Sequence, residues 1–223
     1  FTPILKSGEV VEVELPTGSR RVTTFPKLVS RDKRVNISFK SDTLTIETTD
    51  YKGWESFRAL AGAALAARED IAPVDGVERI GLRYIDEIRV SDATPVDWSQ
   101  WVSESLLGPN AQAAGAQLRI QQQQCAIQYA STVHASDSYT LRYGSGFGQV
   151  FQSQADLVRP NDTPSGEFFL IDTDGAWADI EKRIPEFHTP TLLEACDRIH
   201  APIKELFESL ITDELRKVFD DEQ

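Results

Sequence analysis

Residues 78–88, ERIGLRYIDEI, constrain the fold more than any other stretch of this chain. Five of the eleven residues are charged, yet Ile80, Leu82, Tyr84 and Ile88 fall on alternate positions. Side chains on a strand point alternately to opposite faces, so this pattern describes a strand with one dry and one wet face. Ile80, Leu82, Tyr84, Asp86 and Ile88 then lie against a helix. Arg79, Gly81, Arg83, Ile85, Glu87 and Arg89 face water, where charged residues pair across neighbouring strands. A sheet wet on one side is characteristically antiparallel.

The same alternation recurs elsewhere. Val10 to Leu15 reads as a half-exposed strand closed by Pro16 and Gly18. Val35, Ile37 and Phe39, a polar turn at Ser41-Asp42, and then Leu44 and Ile46 give a hairpin. Residues 17–34 are basic and contain Pro26, which predicts an irregular connection between those strands. Gln117 to Ala130 and Ser138 to Gln154 read as two long strands after a small-residue loop at 110–115. EFFLIDTD at 167–174 is apolar on both faces and is expected centrally in a sheet.

Helical periodicity separates the strand groups. Tyr51, Trp54, Phe57, Ala61, Ala64 and Leu65 share one face of a helix that Thr49 or Asp50 can cap. Pro95 to Leu107 predicts a short helix with Asp97 near its start. Thr189-Pro190 opens a helix in which Leu192, Cys196, Ile199, Ile203, Leu206 and Leu210 step by four and three. Pro202 lies inside it and predicts a kink or two abutting helices. Thr212 or Asp213 caps a last turn carrying Leu215, Val218 and Phe219. The expected fold is α+β, a largely antiparallel sheet with long helices packed on one face, in two βββα-like halves. The chain reads as one domain over 1–223, with an internal division near 91–97.

Charge narrows the partners. Thirty-five acids against 23 bases give a formal charge of −12, a surface that repels phosphate and argues against nucleic acid. The charge serves solubility in the first place, and the sharper reading is a basic protein partner drawn by the field. No apolar run has the length to cross a bilayer. Cys125 and Cys196 are the only cysteines, and His134, His188 and His200 are scattered. That pattern suits two free thiols in a reducing, cytoplasmic setting and argues against zinc. The chain opens at Phe1 and contains no methionine, so the natural start is missing and the absence of a signal peptide is not readable from this terminus.

Three constellations can carry chemistry. The glycines of YGSGFGQV (143–150) have no following helix and no P-loop lysine, so they fit a bent strand or hairpin corner better than a phosphate cradle. Asp172 and Asp174 share one face of a strand about 7 Å apart, where carboxylates can share an ion or divide acid and base roles. DTDG also suits a strand running into a turn. Cys196 and His200 are spaced i and i+4, yet both fit a core position and its boundary. With Arg79 and Arg83, whose guanidinium forks bind carboxylates and phosphates, Asp172 and Asp174 make the candidate ligand-binding set on the charged sheet face. No catalytic, metal or cofactor residues are assigned.

GLRYI, FFLIDTD and the helical pattern formed by His200, Lys204, Phe207 and Ile211 to Leu215 together resemble a sporadically distributed bacterial protein family of unknown function. The resemblance spans most of the chain and implies a cytoplasmic bacterial protein of one domain, with no catalytic residues to carry over. The leading expectation is a non-catalytic binding or protein-interaction module with an acidic surface. A ligand binder or enzyme using the charged sheet face is the alternative, and a homodimer through sheet edges or the C-terminal helix suits either.

Overall fold

The structure is a computed structural model, and it describes residues 3–14, 18–90, 95–109, 117–118, 120–150, 156–159, 165–179, 181 and 183–221. Two antiparallel four-stranded sheets and three helices make an α+β fold. The chain divides into two compact units, one of residues 1–74, 151–163 and 187–193, the other of 75–150, 164–186 and 194–223. The division expected near 91–97 falls partly on residues 91–94, outside those described. So do the loop at 110–115 and residues 151–154 at the end of the second long strand predicted.

The first unit is a meander, β1 (Ile4–Glu14), β2 (Ser19–Val29), β3 (Val35–Phe39) and β4 (Leu44–Thr48), in that order across the sheet. The hairpin predicted over 35–48 is present, with Ile37 opposite Ile46. Of the irregular connection predicted over 17–34, residues 19–29 are instead β2, paired with β1 along its whole length, while 30–34 form the turn into β3. Pro26 is tolerated because β2 meets β3 only from Lys27 to Val29. On that side a missing amide at Pro26 breaks no bond of the ladder.

Helix α1 (Trp54–Ile71) follows, with Ala61 and Ala64 buried. Its N-cap is Gly53 at φ 94° without a side-chain cap, not Thr49 or Asp50. Instead, the Thr49 hydroxyl donates to the Val158 carbonyl at 2.6 Å. Asp50 accepts from Lys52 at 3.1 Å and Arg34 at 3.5 Å. The same unit includes residues 187–193, where the Thr189 amide donates to Glu69 at 3.1 Å.

In the second unit β5 (Arg79–Ile88), β6 (Cys125–Ala130), β7 (Asp137–Gly148) and β8 (Gly166–Ala178) lie in the order β5-β8-β7-β6. The strand expected centrally, β8, is central. The first of the two long strands predicted is only six residues in the structure, because within 120–124 only the Gln123 amide bonds to β7, at the Ser145 carbonyl. The glycines of YGSGFGQV lie in β7, which continues in register to Gly148 opposite Gly166. At Gly144 a Cβ would meet the Gln123 backbone at 1.9 Å, so a glycine is required there for close approach rather than for a bend.

The predicted short helix at 95–107 is two single 3-10 turns, 98–100 and 104–106. Helix α2 (Thr189–Leu210) runs as a single helix past Pro202, which is exposed, and α3 (Asp213–Asp221) follows. Ile88, Leu106, Leu141, Phe169, Ile171, Leu210 and Leu215 form the core of this unit. Each such side chain contributes about 1.5–3 kcal/mol by leaving water. Ile199 and Ile203 seat against Gly175 of β8, where an added Cβ would lie 2.6 and 2.7 Å from them.

Candidate functional site

The charged face of the second sheet gathers most of the expected set. Arg83 pairs in register with Asp174, and Asp172 lies between Ile85 and Arg142. Arg83 donates from Nε to Asp172 Oδ1 at 2.8 Å and from Nη2 to Oδ2 at 2.7 Å. Arg142 Nη1 reaches the same Oδ2 at 3.5 Å. Arg79 stands apart, in register with Ala178 and folded over Gly81. The Asp172 side chain is only 5% exposed, against 52% for Arg83 and 46% for Arg142.

The fork between Arg83 and Asp172 is satisfied internally. Its hydrogen bonds push the Arg83 guanidinium further up, against burial, with the charges of Asp172 and Asp174 adding to them. Two arginines and two aspartates leave this face locally neutral, with outer guanidinium N–H groups free to donate to a polar surface. Arg142 was outside the expected set. Its position two residues before Gly144, in a strand alternating with Leu141 and Tyr143, is the signal that could have placed it there.

The opposite face of β5 holds an acid that alternation places there but whose surroundings it does not reveal. Asp86 occupies the apolar phase between Tyr84 and Ile88. Burial first, and the nearby Asp172 charge second, push its carboxyl up to about 7. Among the described residues no hydrogen bond or ion pair reaches that carboxyl. Beside it the Tyr84 hydroxyl meets His200 Nδ1 at 3.1 Å. Burial lowers the His200 pKa, and Lys204 lowers it further, opposed by Asp197. Cys196 is buried on the same helix. Among the described residues no three His, Cys, Asp or Glu side chains assemble as metal ligands.

The first unit carries a groove of about 740 Å³, within the size range of small-ligand sites. β1 supplies Val10, β2 supplies Thr23 to Pro26 and Leu28, and the β3–β4 turn supplies Phe39 to Thr43. The last turn of α1 closes it with Ala67, Arg68, Ile71 and Ala72. Arg68 ties this helix end to the hairpin, donating to the carbonyls of Lys40 at 3.2 Å and Ser41 at 2.8 Å. The interior is apolar, the rim carries hydroxyls, and the Lys40 ammonium stands 5.3 Å from the Phe25 ring centre. Ile71 is 82% exposed at the wall. Reading residues 17–34 as irregular hid this groove. The period-two placement of Val22, Thr24, Pro26 and Leu28 against Thr23, Phe25, Lys27 and Val29 was the available clue.

These surfaces belong to an α+β chain of two antiparallel four-stranded sheets. No protein-family model matches it, and no curated protein or solved structure matches it either.

Proposed function

We propose that the protein is a non-catalytic binding module that recognises a protein segment through the groove of its first unit. The observation that carries this reading is the groove itself: apolar walls at Val10, Phe25, Leu28 and Phe39, with Ile71 left in water. An exposed apolar surface of this kind is retained where something covers it. With a chain charge of −12, the favoured partner presents apolar side chains flanked by basic ones, and the field speeds its approach. The two free cysteines and the resemblance of GLRYI and the C-terminal helix to a bacterial family support a cytoplasmic setting.

A second reading follows from Lys40. Its ammonium above Phe25 suits the anionic head of a small amphipathic ligand whose apolar body fills the groove. Native mass spectrometry of the purified protein separates the two. A bound small mass lost in the groove-filling variant Ala67→Trp supports the ligand. A protein partner captured by the wild type, and lost with both Ala67→Trp and Ile71→Glu, supports the interaction. Capture undiminished in both variants, with no bound small mass, removes the groove from either role.

A further inference from the structure

Among the described residues the two sheets have four edge strands, β1, β4, β5 and β6. An open edge offers unpaired amides and carbonyls to any other strand, and proteins commonly guard it with charge or proline. β1 carries Lys6 and Glu9, β4 carries Glu47, and β5 carries Arg79, Arg83, Asp86 and Glu87. β6, CAIQYA, carries no charge and no proline, and every residue after Cys125 is exposed. Ile127 and Tyr129 are 38% and 39% exposed on its helix-facing side.

The geometry points to β6 as a self-pairing edge: we propose that two copies of this chain join through antiparallel β6 strands into one eight-stranded sheet. The hydrogen-bond phase selects this arrangement. The Gln123 amide donates to the Ser145 carbonyl at 2.9 Å and the Ser131 amide to the Asp137 carbonyl at 3.1 Å. Both pairs share the β6–β7 register in which Ile127 faces Leu141. In an antiparallel ladder alternate residues bond to alternate sides. Odd positions of β6 therefore bond to β7, and Ala126, Gln128 and Ala130 turn their amides and carbonyls to the open edge.

A second β6 must bring even positions opposite even ones. Odd positions then also meet odd ones, so corresponding faces of the two sheets continue into each other around a two-fold axis normal to the sheet. Within the bounds of β6, the register centred on Gln128 uses all three outward residues, whereas one centred on Ile127 uses two. It also sets Ile127 of each copy beside Tyr129 of the other, a β-branched and aromatic cross-strand pair of the stabilising kind. Two copies each bearing −12 repel over the range that salt leaves unscreened. An uncharged edge is where they meet at least cost, since any charged residue at the centre would face its own copy. The inference concerns the second unit and does not rest on the groove.

Sedimentation equilibrium over a concentration series tests it on the full chain. The expected wild-type mass is twice 24.9 kDa. Gln128→Pro removes a donor on the open side only, leaving the β6–β7 ladder intact. Gln128→Lys places like charges across the two-fold axis. Both are expected to halve the mass while far-UV circular dichroism and melting stay those of the wild type. If the proline variant fails to fold, the lysine variant decides alone. A wild type that stays monomeric throughout the series overturns the proposal, as does a dimer that persists in a folded lysine variant.

Discussion

Asp86 makes the stability of the second unit depend on pH in a direction opposite to that of a salt-bridged acid. Its carboxyl titrates near 7 in the folded chain against an ordinary 3.8. Below about pH 4 both folded and unfolded forms are protonated and the group costs nothing. Above that the unfolded chain releases its proton while the folded chain holds it, so stability falls as pH rises and the loss is complete above about 7. Three units at about 1.4 kcal/mol each amount to about 4 kcal/mol, of which about 3 kcal/mol falls between pH 5 and pH 8. Asp86→Asn keeps the shape and removes the titration. Urea unfolding of both proteins at pH 5 and pH 8 measures the effect. The advantage of the variant should grow by about 3 kcal/mol between the two, which widens the midpoint separation by about 1–3 M at ordinary urea slopes. Midpoints that move in parallel with pH would refute the reasoning and return Asp86 to contact with water.

Arg198 donates to the fully buried Asp137 carboxylate at 2.9 and 3.2 Å. Arg198→Ala strands that charge and is expected to cost about 3 kcal/mol, the low end for a broken buried pair because Arg198 is a third exposed; chemical denaturation at neutral pH measures it. At Gly175 an alanine Cβ would press on Ile199 and Ile203, so Gly175→Ala should cost about 1–3 kcal/mol and lower the melting temperature, as calorimetry would register. Asp156, held by Lys6 and Lys27, has its carboxyl lowered to about 2. Its stabilisation is present above about pH 4 and lost as pH falls toward 2, so Asp156→Asn should flatten the acid limb of a urea-midpoint profile.

The alternation in β5 and the stepping apolar residues of α2 were legible because each element buries one face and its period survives in the sequence. Their burial follows that reading at Leu82, Ile88, Ile199 and Ile203. β2 was not legible. Most of it, Ser19 to Pro26, pairs on one side only among the described residues, and such a strand accepts Pro26 and a run of exposed polar residues that look like a loop. The junction of Arg83 with Asp172 follows from the pairing of β5 with β8, which alternation foresees as a sheet face but not as a register. Asp86 was visible as an acid in an apolar phase, but its missing partner could be seen only once the elements packed around it were known.

The first unit is assembled from chain that emerges at very different times. Its sheet and α1 are complete by residue 74, yet Asp156, Val158 and Thr189, which bond to Lys27, Thr49 and Glu69, belong to the same unit. During synthesis at about 5–20 residues per second, the meander waits several seconds for these contacts. A fragment ending at residue 74 would lack them permanently. Expression of either half alone is thus a poor route to a native unit, and a ribosome pausing soon after residue 74 would hold the meander and α1 without these three contacts.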